Sequence, residues 1–69
     1  MSRRVRQLDE LRELCRRGAV ARAIDLAFEH IACFGRDDSV VVLLEAAAAR
    51  IEADDDVHRR LCELRAVDP

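Results

Sequence analysis

The 69-residue chain contains no Lys, Asn, Thr, Tyr or Trp, only two Phe (Phe28 and Phe34), two Gly (Gly18 and Gly35) and one Pro (Pro69). With so few aromatics, the core has to be aliphatic. The scarcity of Gly and Pro leaves little punctuation for short strands and turns, which argues against an all-β fold. Three cysteines (Cys15, Cys33, Cys62) are an odd number, so a disulfide framework is not expected and reduced thiols are the default. No apolar run approaches membrane-spanning length, and the basic residues Arg3, Arg4 and Arg6 are not followed by the apolar stretch of a secretory signal. These features point to the cytoplasm. Twelve basic residues, all of them Arg, fit a GC-rich bacterial or phage genome.

What is present favours helix. Half of the residues (51%) are apolar, and eleven alanines join abundant Leu, Arg and Glu. The net charge of −2, with both signs mixed along the chain, gives no large positive field of the kind nucleic-acid binders use. A chain this short buries only about 60% of the surface it exposes when unfolded, so a single domain of modest stability is expected.

Four segments carry helical periodicity. From residue 3 to 17, Val5, Leu8, Leu11 and Cys15 recur at three- and four-residue steps, while Leu14 drifts off that stripe. Arg16, Arg17 and Gly18 then form a helix exit, since cations suit the carbonyl end and glycine tolerates left-handed dihedrals. From 19 to 34, Val20, Ala23, Ile24, Ala27, Phe28, Ile31 and Phe34 make a broad apolar face, with Arg22, Asp25 and Glu29 on the wet side. A face that wide is expected at the centre of the molecule. Gly35 closes this helix, and Asp37, Asp38 and Ser39 supply acceptors for the amides of the next.

The third segment, 39 to 53, begins with the run Val40 to Leu44, which could read as a strand. No second strand exists to pair with it, and the alanines that follow favour helix. Val40, Leu44, Ala47 and Ile51 share one face, which leaves Val42, Ala46 and Ala49 on the opposite side as a second apolar strip. Asp54, Asp55 and Asp56 cap a last helix, 56 to 66, with Val57, Leu61 and Leu64 inward. The expected fold is therefore all-α: four short antiparallel helices forming two packed helical hairpins in one domain.

The stretch from Arg16 to Ala27 resembles the turn and second helix of a tetratricopeptide repeat, with Gly18 at the turn and Ala23 as the small residue that lets helices approach. At that family's 34-residue period, Ala23 maps to Val57 and Gly35 to Pro69, a position where the family favours proline. The small residue expected in each first helix is instead Leu11 or Glu45, and Gly18 maps to Glu52. The resemblance implies protein binding rather than catalysis, and two repeats where three are usual for stability, so that self-association or a larger partner completes the core.

Several side chains could carry chemistry. His30 and Cys33 lie about one turn apart, as do His58 and Cys62, which with Cys15 could supply a tetrahedral zinc site; against this, helix cysteines commonly pack as small apolar residues and histidines sit at the wet edges of faces. A thiol nucleophile at Cys62 beside His58 lacks an oxyanion hole and an orienting third group, and no enzyme is expected. Arg3, Arg4, Arg6, Arg16, Arg17, Arg59 and Arg60 could grip phosphates, the basis of an alternative reading as a small DNA-associated regulator, but the Asp clusters oppose it. A zinc-stabilised helical module is a further alternative. The second apolar strip points most directly to function: a small adaptor, chaperone-like or inhibitor protein that needs no cofactor and binds another protein or a second copy of itself through Val42, Ala46, Ala49 and Leu14.

Overall fold

The computed structural model of the chain describes residues 2–67 and contains four helices: α1 (Arg3–Arg16), α2 (Val20–Phe34), α3 (Asp38–Arg50) and α4 (Asp55–Arg65). They form two packed helical hairpins with no strand among the described residues. Pro69, the proline position of the repeat comparison, lies outside the described residues.

Three of the four helix starts are set by a side-chain cap. Ser2 Oγ accepts from the amide of Val5 at 3.2 Å, Asp37 Oδ1 from that of Ser39 at 3.1 Å, and Asp54 Oδ1 from that of Val57 at 3.0 Å. These oxygens satisfy amides that have no partner inside the helix. Asp37 and Asp54 are therefore the caps of the third and fourth helices, whereas Asp38, Asp55 and Asp56, read with them as cap acceptors, lie within the first turns. Only α2 begins without one, at Ala19.

The two hairpin bends are built alike. After α1, Gly18 at φ +80 donates its amide to the Cys15 carbonyl at 3.1 Å, and Ala19 donates to Leu14 at 2.9 Å. After α3, Glu52 at φ +51 donates to Ala49 at 3.4 Å, and Ala53 to Ala48 at 3.0 Å. Both are Schellman turns, in which a left-handed residue folds the chain back onto the last carbonyls. Glycine suits the first. Glutamate in the second carries the Cβ penalty of the left-handed region, roughly 1–2 kcal/mol. Replacing it, Glu52→Gly, is expected to raise the free energy of unfolding by about 1 kcal/mol, less than the full penalty because glycine has more freedom to lose. Urea denaturation measures this, and an unchanged or lower midpoint would show that the turn stores no strain.

This second turn corrects the expected end of the third helix. It stops at Arg50, not at residue 53, and Ile51 is consequently 46% exposed instead of continuing the inward face. Ile51 covers the first bend: its Cγ2 lies 3.7 Å from where a Cβ on Gly18 would sit. Val5, placed on the inward stripe of α1 by spacing, is also exposed, whereas Leu11 and Cys15 of that stripe are buried.

The helices form two layers. α2 packs on α1, α3 and α4, α3 likewise packs on the other three, and α1 does not reach α4. The shortest dimension, 15 Å between Cα atoms, matches two layers of helix axes 8–10 Å apart. α2 is central, as its broad apolar face requires, with Ala23, Ile24 and Ala27 fully buried. Alanines at Ala47 and Ala48 give α3 the same close approach. Arg50 bridges the hairpins by donating from Nη2 to the Cys15 carbonyl at 3.3 Å, so a cation at the end of α3 also serves the carbonyl end of α1. No helix among the described residues is long and apolar enough to cross a membrane.

Candidate protein-binding surface

At 100° per residue, the buried side chains of α3 (Val40, Val41, Leu44, Ala47 and Ala48) occupy one side of the helix, and Val42, Ala46 and Ala49 lie within about 60° of one another on the other. Val42 is 65% exposed, and Ala46 and Ala49 are exposed with it. Packing of α1, α2 and α4 onto α3 thus leaves the second apolar strip uncovered.

One flank of the strip opens into a groove between α1 and α3. Its volume is about 380 Å³, and it is lined by Leu8, Arg12, Ser39, Val40, Val42, Leu43 and Ala46. Leu8 and Leu43 are half-buried and rest on the core, so the floor is apolar and fixed from beneath. Leu8 and Leu43 were not singled out by spacing as surface residues, because a half-buried leucine on a helical stripe reads as core. Leu14, grouped by sequence with the α3 strip, is elsewhere. It lies about 120° round α1 from Leu8 and packs half-buried against the core, so it does not share this surface.

The histidine and cysteine set is dispersed. Cys15 is buried, and burial raises its thiol pKa above the ordinary value. Cys33 is exposed on α2, while His58 and Cys62 are exposed on α4 and line a shallow cleft with Glu45, Leu61 and Arg65. Arg65 Nη2 donates to Cys62 Sγ at 3.2 Å, and Nη1 lies 3.3 Å from Glu45 Oε1. Among the described residues no three His, Cys, Asp or Glu side chains are grouped so as to hold a metal ion.

His30 is not at a wet edge, contrary to the expectation for histidines; it is wholly buried. Nδ1 lies 3.0 Å from Gln7 Oε1 on α1, which can only accept, so Nδ1 carries a proton. Nε2 has no hydrogen-bond partner and faces Asp37 Oδ2 at 3.6 Å, and the Phe34 ring lies 5.1 Å from the imidazole, centroid to centroid. Arg4 approaches the same Asp37 oxygen at 3.6 Å. The Asp37 carboxyl is held below the usual carboxylate range, first by the Ser39 hydroxyl at 2.6 Å, against the opposing effect of burial, and then by the Ser39 amide, His30 and Arg4. The pocket thus ties the start of α1 and the end of α2 to the cap of α3.

The arginines are largely engaged with acids. Arg12 pairs with Asp9, Arg16 with Glu13, Arg36 with Asp38, Arg59 with Asp56 and Arg60 with Asp25. Such exposed pairs contribute about 0–1 kcal/mol each to stability. Of the arginines that could grip phosphates, Arg4, Arg16, Arg59 and Arg60 each face an acidic side chain. No family model matches this chain, and comparison with curated proteins and with solved structures likewise finds no match.

Proposed function

We propose that this chain is a protein-interaction module, of the adaptor, chaperone-like or inhibitor kind, whose contact surface is the outward side of α3 and the groove beside it. The observation that carries this is Val42, a large apolar side chain 65% exposed on the same side of α3 as Ala46 and Ala49, more exposed than Val5, Phe34 or Ile51. The groove supports the same reading, since an apolar channel rimmed by Arg12 and Ser39 suits the side chains of a docked helix. The arrangement of α1 beside α3 and α2 beside α4 supports a tetratricopeptide-like pair of hairpins. The odd count of thiols supports a reducing, cytoplasmic setting, and the exclusive use of Arg supports a GC-rich bacterial or phage source.

Site-specific photo-crosslinking in the native host tests the proposal. A photoreactive residue at position 42 is expected to form covalent adducts with protein, whereas one at Glu29, an exposed position on the wet side of α2, is not. Ala46→Glu should abolish the adducts at position 42 by placing a charge in the strip. Equal labelling at both positions, or none at position 42, would refute the proposal.

A further inference from the structure

We draw no further inference here: the strongest candidate, the apolar strip of Val42, Ala46 and Ala49 on the outward side of α3 with the groove between α1 and α3 beside it, belongs to the surface already described, and nothing in the structure shows what covers it.

Discussion

Leu44→Ala is expected to lower the free energy of unfolding by about 2–5 kcal/mol, the range for truncating a fully buried leucine, where lost burial and the cavity left behind add. Leu44 has no exposed surface and sits on the inward side of the one helix besides α2 that packs against all three others. A domain of this length has roughly 3–10 kcal/mol in total, so the variant is expected to lie near or below the folding threshold at room temperature. The core around it is largely aliphatic, and its α3 neighbours Ala47 and Ala48 are too small to fill the space. Val42→Ala, two residues away and exposed, is expected to change stability by less than about 0.5 kcal/mol. Chemical denaturation of both variants checks the contrast. A loss below about 1 kcal/mol at Leu44 would mean that α3 is not held as described.

The second large effect is at Asp37. Its carboxylate caps α3, accepts from Ser39 and faces both His30 and Arg4, so Asp37→Ala is expected to cost about 1–2 kcal/mol at neutral pH, the upper part of the range for losing a cap. The effect depends on pH in a definite direction. Folding lowers the Asp37 carboxyl below its ordinary value, so the folded state favours the ionised form. Its contribution is fully present above the unfolded carboxylate range, near pH 4, and is lost as pH falls through the lower folded value. Wild type and Asp37→Ala should therefore draw together in stability as pH falls through the lowered folded value and remain apart at pH 7. A gap that stays constant across that range would assign the effect to the backbone of α3 and not to the charge.

Much of this architecture is visible in the chain before it folds. The helices, the Ser and Asp caps and the central position of α2 follow from residues within a turn or two of one another. The misplacements of His30 and Leu14 share one cause, which is dependence on residues far along the chain. His30 is an ordinary polar residue by local pattern, yet Gln7 from one helix and the Asp37 cap of another enclose it. Leu14 and Leu8 are similar in sequence context, but one faces the interior flank of α1 and the other the groove. The early end of α3 was hidden because its left-handed turn uses Glu52, where the signal read in a sequence is glycine.

For the α3 strip, the sequence by itself determined that Val42, Ala46 and Ala49 share a side, because a 3.6-residue period and a cap are properties of neighbouring residues. It did not determine whether that side is covered. That was decided by the docking of α1 and α4 on either flank of α3, and the positions of those helices depend on the whole set of interlocking side chains around α2. Periodicity divides a helix into faces; only the tertiary structure determines which apolar face remains exposed.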